Sequence, residues 1–192
     1  TTITPTSTTI ETSKTAYFYI GKEITKAKYD ELVKEGKNPP EPIENFPTSK
    51  IVEERDSDGK LTYVITYTYD TIFIDNKPVR TWEATKVDQT NGKIEEFIYG
   101  KGDAEIILDS EGRVKGGKGD YLSLESEAKS FRTRYRVQTF FAEAERVLTE
   151  FQGLAYLPTL FMDEDSLLEW RDNVDRAFAT LYLGTEYWAS AI

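Results

Sequence analysis

The spacing of apolar residues changes once along this chain of 192 residues, and the change restricts the folds that it can adopt. Between residues 50 and 120 the spacing is two. In the segment 61–69 (LTYVITYTY), Leu, Ile and Tyr occupy the odd positions, whereas Thr and Val occupy the even ones. Successive side chains of a β-strand point to opposite faces of a sheet, so this alternation predicts a strand with one covered face.

Turn-forming residues divide the region 50–120 into several extended segments. Asn91-Gly92 is typical of a two-residue hairpin loop, and Gly59 and Gly112 end two other turn-like sequences. We therefore predict an antiparallel meander of about six to eight strands. Upstream, the proline-rich residues 38–49 predict a stiff connector rather than a central strand.

From residue 122 onward the apolar spacing becomes that of a helix. Leu124, Ala128 and Phe131 begin an apolar stripe that predicts a long helix, which Gly153 and Pro158 are expected to end. This change of period separates the predicted sheet from a helical C-terminal part.

A second C-terminal helix is predicted to begin after Asp163, a residue type that favours the N-cap position. Gly184 is expected to end it. Residues 184–192 would then form an aromatic tail that carries Tyr187 and Trp188. Large aromatic residues near a chain end usually dock onto something, either their own domain or a neighbouring subunit.

Residues 16–37 predict a strand, a turn and a short helix. Thr25 is a favourable N-cap and Gly36 a favourable C-cap. Residues 1–15 form a Thr-rich arm in which only Ile3 and Ile10 are large and apolar. Two interpretations of this arm stay open: a frayed terminus, or an extended arm that orders against the sheet edge of a neighbouring subunit.

These patterns predict an α+β fold with an extended arm at residues 1–15 and a single domain over 16–192. The predicted sheet spans residues 50–120, and the two C-terminal helices span 122–183. The helices should pack on one face of the sheet, because both kinds of element carry one apolar side that must be buried.

The composition restricts the chemistry of the chain. It contains no cysteine and no histidine, which removes thiolate catalysis, Cys-ligated zinc and the most common general base. A net charge of −10 repels phosphate backbones, so no nucleic-acid partner is predicted. No apolar run is long enough to span a membrane. We predict no catalytic residue, cofactor or metal.

Three basic residues share one face of the predicted long helix. Lys129, Arg132 and Arg136 are spaced i, i+3, i+7. They form either a solvated face with local ion pairs or a docking patch for an acidic partner surface. The tyrosines at positions 63, 67 and 69 either pack beneath the helices or stack on sugars or bases.

Residues 17–33 resemble a pattern found in bacteriophage virion and tail-associated proteins. The matching residues are the aromatic strand Tyr17-Phe18-Tyr19, then Gly21-Lys22-Glu23-Ile24-Thr25, then Tyr29 and Leu32 in the following helix. The resemblance implies a virion or tail accessory protein, located in the particle or in the host cytoplasm. It carries no catalytic residue over to this chain.

We therefore expect a non-enzymatic structural or assembly protein, most simply a homo-oligomer or part of a larger assembly. Its interface candidates are Ile3, Ile10, Lys129, Arg132, Arg136, Tyr187 and Trp188. Two alternatives stay open. One is an acidic antagonist that occupies a partner's nucleic-acid-binding surface; the other is a carboxylate-based hydrolase or a barrel-like carrier of a small ligand.

Overall fold

The computed structural model describes residues 4–190. In chain order the elements are β1 (Thr6–Tyr19), β2 (Lys22–Ile24), α1 (Lys26–Lys34), β3 (Ile43–Arg55), β4 (Leu61–Ile74), β5 (Lys77–Asp88), β6 (Ile94–Lys101), β7 (Ala104–Asp109), β8 (Val114–Lys118), α2 (Glu125–Ala155) and α3 (Glu164–Ser190). Short 3₁₀ segments precede the two long helices, at Tyr121–Leu124 and Leu157–Phe161. The predicted α+β class is confirmed.

The eight strands form one antiparallel sheet in the order β2-β1-β3-β4-β5-β6-β7-β8. From β3 to β8 each strand pairs with the next one along the chain, which confirms the predicted meander. The strands β2 and β8 are the two edges of this sheet, and they are not paired with each other in the described part of the chain.

The N-terminal strand–helix unit has the local features that its sequence predicts. The hydroxyl of Thr25 accepts a hydrogen bond from the Lys28 N–H at 3.2 Å and so caps α1. Gly36 follows the helix with φ of +77°, a conformation that suits a residue without a side chain. Leu32 is the buried residue of this short helix.

The sheet begins earlier in the chain than the sequence suggests. Residues 6–15 belong to β1 and pair with β3 of the same chain. β3 starts at Ile43 and contains Pro47, although the proline-rich stretch was expected to be a connector. The β1–β3 register shifts on both sides of the Ser13–Pro47 pair, and such an irregularity accommodates a residue that lacks a backbone N–H.

The chain divides into two compact units, the first ending at Phe131 and the second beginning at Arg132. The sequence had suggested one domain from residue 16 onward.

In the first unit, Ile106 and Leu108 on β7 are fully buried. Phe131, in the second turn of α2, packs edge to face against Phe97 on β6, with ring centroids 5.9 Å apart. Burial of each such side chain contributes about 1.5–3 kcal/mol.

The two faces of the sheet carry separate apolar clusters. Ile65, Ala84 and Ile98 are buried together, with Tyr67 packed against them. Since Ile98 directly follows Phe97 on β6, the two residues point to opposite faces. The tyrosine-bearing face is therefore opposite the face that the first turns of α2 cover.

Candidate functional site

The second unit is an antiparallel pair of helices that several polar contacts connect. Thr149 on α2 and Tyr182 on α3 share a hydrogen bond of 2.7 Å, and Thr185 donates to Glu145 at 3.0 Å. Near the connection, the indole of Trp170 donates to the carbonyl of Ala155 at 2.7 Å. Polar side chains thus take part in the contact between the helices. Among the described residues of this unit, apolar residues of both helices are at most half-buried, as Val147, Leu148 and Phe178 are, apart from the buried Val174.

Many large apolar side chains of this second unit are exposed. Among its described residues only Val174 is buried. Phe161 is 91% exposed and Leu160 is 75% exposed, both in the 3₁₀ segment between the helices. The other exposed large apolar residues are Phe140, Phe151, Leu154, Leu157, Leu168, Trp170, Leu181, Leu183, Tyr187 and Trp188. We call this set, together with Leu160 and Phe161, the helical apolar surface.

The helix α3 is apolar on more than one side. Leu183 lies nine residues after Val174, and at about 100° per residue this spacing places it on the opposite side of the helix. Val174 is buried, whereas Leu183 is exposed. Exposed apolar residues opposite the buried side of a helix suit a second contact with other protein.

Tyr187 and Trp188 lie within α3 and not in a tail, so the prediction that Gly184 ends the helix is wrong. A glycine in a helix costs only about 1 kcal/mol relative to alanine, and the surrounding helix formers outweigh it. The two rings pack edge to face with centroids 5.7 Å apart. Their side chains are 67% and 59% exposed.

The predicted basic residues all lie on α2, but in different surroundings. Lys129, in the first unit, forms an ion pair with Glu125 at 2.9 Å. Arg132 is half-buried and Arg136 is exposed, and both belong to the second unit. The ion pair of Lys129 agrees with the local-pair interpretation of that residue, although its side chain is exposed, as Arg136 is.

Opposite charges lie at the two ends of the second unit. Arg136 is near its beginning, and Glu164 and Asp165 are in the first turn of α3. Along α2, Arg136 is about 28 Å from the residue at which the helix ends. Because the helices are antiparallel, the basic end and the acidic end of the hairpin are far apart.

The sheet also offers an open edge. β2 pairs with β1 only at residues 17–19, so in the described part of the chain residues 6–16 have no strand on that side. Ile10 lies on this edge, opposite Ile51 of β3, and is 55% exposed. Ile3, the other apolar residue predicted for an interface, lies outside the described residues.

Tyr63, Tyr67 and Tyr69 share one face of β4, as their alternation predicts. Burial raises the pKa of Tyr67 to about 12, and the nearby Glu105 adds to this effect. We expected these tyrosines to pack beneath the helices. The first turns of α2 cover the opposite face of the sheet.

Carboxylates of the first unit are mostly engaged in ion pairs and turns. Lys86 lies 3.4 Å from Glu54 and 3.7 Å from Glu96. Burial lowers the pKa of Lys86, but the surrounding glutamates outweigh this and raise it overall. Among residues 4–190, no three acidic side chains converge in a way that would hold a metal ion. Over the same range, no helix combines the length and apolar character needed to cross a membrane.

No protein family, curated protein or solved structure matches this chain. The function must therefore be argued from the residues themselves.

Proposed function

We propose that this chain is a non-enzymatic subunit of a protein assembly, in which a second copy of the chain covers the helical apolar surface. The observation that carries this proposal is the exposure of large apolar side chains along both helices of the second unit. Among the described residues of this unit, only Val174 is buried. Monomeric soluble proteins rarely expose contiguous apolar patches of more than a few hundred Å².

Association would supply the burial that this unit lacks. Each large apolar side chain removed from water contributes about 1.5–3 kcal/mol. Phe140 on α2 and Leu183 on α3 are both about two-thirds exposed, at 67% and 66%. Enclosing a few such residues would add a contribution of the same order as the polar contacts between the two helices.

The arrangement of charge favours a copy of the same chain as the partner. In a two-fold symmetric pair with antiparallel hairpins, the basic end of one copy lies beside the acidic end of the other. Arg136 would then approach Glu164 and Asp165 of the partner subunit. Complementary charges of this kind set the register of an interface whose affinity comes from apolar burial.

The open edge of β1 supports an assembly role independently. Natural proteins usually protect exposed sheet edges because they pair readily with other chains. Residues 6–16 carry two charged side chains, Glu11 and Lys14, and the latter is already paired with Glu23 at 2.5 Å. The resemblance of residues 17–33 to phage virion proteins makes a virus particle the setting that we propose for such an assembly.

Thermal unfolding at several protein concentrations tests the proposal. If copies of the chain associate, the unfolding temperature rises with concentration by mass action. The double substitution Phe140→Glu with Leu183→Glu should abolish this dependence, because charges on the helical apolar surface oppose its burial. A Gln138→Glu variant adds one such carboxylate at an exposed polar position of α2 and should behave like the unmodified chain.

Two results would contradict the proposal. One is an unfolding temperature that stays constant over about a hundredfold range of concentration in the unmodified chain. The other is a double variant that keeps the full concentration dependence, which would place the interface elsewhere.

A further inference from the structure

A cleft of about 340 Å³ lies on the tyrosine-bearing face of the sheet, entirely within the first unit. Its lining includes Lys50 of β3 and Lys118 of β8, which are five strands apart. On a flat sheet this separation would be about 24 Å. Since both residues line one small cleft, the sheet curls and this face is concave.

The floor of the cleft is aromatic. Tyr67 and Tyr69 on β4 lie nearly parallel, with centroids 6.4 Å apart and an interplanar angle of 18°. The indole of Trp82 on β5 lies 6.2 Å from the Tyr69 ring. All three side chains are half-buried, so they keep ring surface that a ligand can reach.

The position of Trp82 is fixed from two directions. Its Nε1–H donates to the Glu105 carboxylate at 2.6 Å. Its ring lies over Gly100 on β6, where a Cβ would be only 1.9 Å from the Trp82 Cε2 atom. A ring held in this way does not lose further conformational freedom when a ligand stacks on it.

Cationic groups surround this aromatic floor. The Lys50 ammonium lies 4.8 Å from the centre of the Tyr67 ring, and Lys118 is exposed at the opposite side. Arg80 also lines the cleft, but its guanidinium donates to the Pro47 carbonyl and to the Thr71 hydroxyl. Glu105 is the lining carboxylate, and it is bonded to Trp82. Glu11 of β1 pairs with Lys50 of β3 and lies close enough to Tyr69 to help raise the pKa of that phenol. Among the residues that line the cleft, three cations accompany one carboxylate.

We propose that the cleft binds a small anion that carries a flat aromatic ring, with a mononucleotide as the class of ligand. The ring would stack on the Tyr69 and Trp82 side chains, and the phosphate would pair with Lys118, while Lys50 adds a second positive charge to the cleft. Stacking of a base on an aromatic side chain contributes about 1–3 kcal/mol. The volume of the cleft falls in the range of small-molecule sites, whereas a long polyanion would be repelled by the rest of the chain.

Calorimetric titration of the full chain with four probes tests this proposal. Adenosine monophosphate provides ring and anion, adenosine the ring alone, inorganic phosphate the anion alone, and glucuronic acid an anion on a non-aromatic ring. We expect adenosine monophosphate to bind at least about tenfold more tightly than each other probe, because it alone gains both stacking and charge pairing. The proposal is overturned if adenosine, inorganic phosphate or glucuronic acid binds as tightly, or if no probe binds with a Kd below about 1 mM.

Two substitutions assign the binding to this cleft. Lys118→Gln changes an exposed residue without a structural contact to lose, and it should weaken binding about fivefold. Trp82→Ala should weaken it about tenfold or more. Lys60→Gln, in an exposed turn, is the matched control and should leave the affinity unchanged.

Equal affinities of the Lys118→Gln variant and the unmodified chain would show that the nucleotide binds elsewhere. The test involves only the first unit, so its outcome is independent of the assembly proposal.

Discussion

Trp82 on β5 donates its indole N–H to the carboxylate of Glu105 on β7, across the intervening strand β6. The two strands are separated by about 10 Å, twice the spacing of neighbouring strands. The indole can bridge this distance because β6 presents Gly100, which has no side chain, at the paired position. One hydrogen bond thereby links three strands on the concave face.

The Trp82–Glu105 hydrogen bond should contribute measurably to folding. Replacing Glu105 by Ala removes the acceptor and leaves a half-buried indole N–H without its partner. We expect the free energy of unfolding in urea to fall by about 1–2 kcal/mol. Glu105→Gln keeps a side-chain oxygen as acceptor and should lose clearly less. If both variants are as stable as the unmodified chain, this bond has no role in the stability of the sheet.

Gly100 should resist substitution by even the smallest side chain. A Cβ at this position would overlap the Trp82 ring at 1.9 Å, so the indole would have to rotate away and give up its hydrogen bond. We expect Gly100→Ala to cost about 1–3 kcal/mol in the free energy of unfolding.

Gly116 on β8 provides the matched control for this substitution. A Cβ at Gly116 would meet no atom within 4 Å, and its φ is not positive. Gly116→Ala should therefore change the unfolding free energy little or raise it slightly, since it restricts the unfolded chain. Equal losses at the two glycines would contradict the close approach of the indole to β6.

Ionisation of Tyr67 should destabilise the protein at alkaline pH. Burial raises the pKa of Tyr67 from 10.0 to about 12, so the folded chain holds this proton more tightly than the unfolded chain does. The resulting stability is present below pH 10 and is lost as the pH rises from about 10 toward 12. Urea unfolding at about pH 9 and pH 11 measures this loss.

Substitution of Tyr67 by Phe isolates the contribution of this residue. The Tyr67→Phe variant should lose less stability between the two pH values than the unmodified chain, because it has no phenol to ionise there. Identical pH dependence in the chain and in Tyr67→Phe would show that the phenol is not held in a desolvated site.

Local sequence patterns predicted the elements well where the decisive interaction is local. The alternation at 61–69 identified β4, and Thr25 identified the start of α1. The patterns failed at two residues that usually interrupt regular structure, one in a strand and one in a helix. Pro47 is accommodated in β3 because the pairing with β1 is irregular there, and Gly184 continues α3 because the flanking residues favour a helix.

The candidate sites were harder to foresee. Helical periodicity shows which residues are apolar, but it does not show whether anything covers them, so the exposure of Leu160 and Phe161 could not be read from the sequence. The cleft depends on the register that places Gly100 beside Trp82 and Glu105. No local signal specifies that register, although the aromatic alternation did identify Tyr67 and Tyr69 as a possible stacking surface.

Sedimentation equilibrium tests the central claim, that copies of this chain enclose the helical apolar surface. A single chain has a mass of 22.0 kDa. We predict that the unmodified chain sediments with a multiple of that mass, whereas the double variant Phe140→Glu with Leu183→Glu sediments as a single chain. A mass of one chain for the unmodified protein at every concentration would contradict the account.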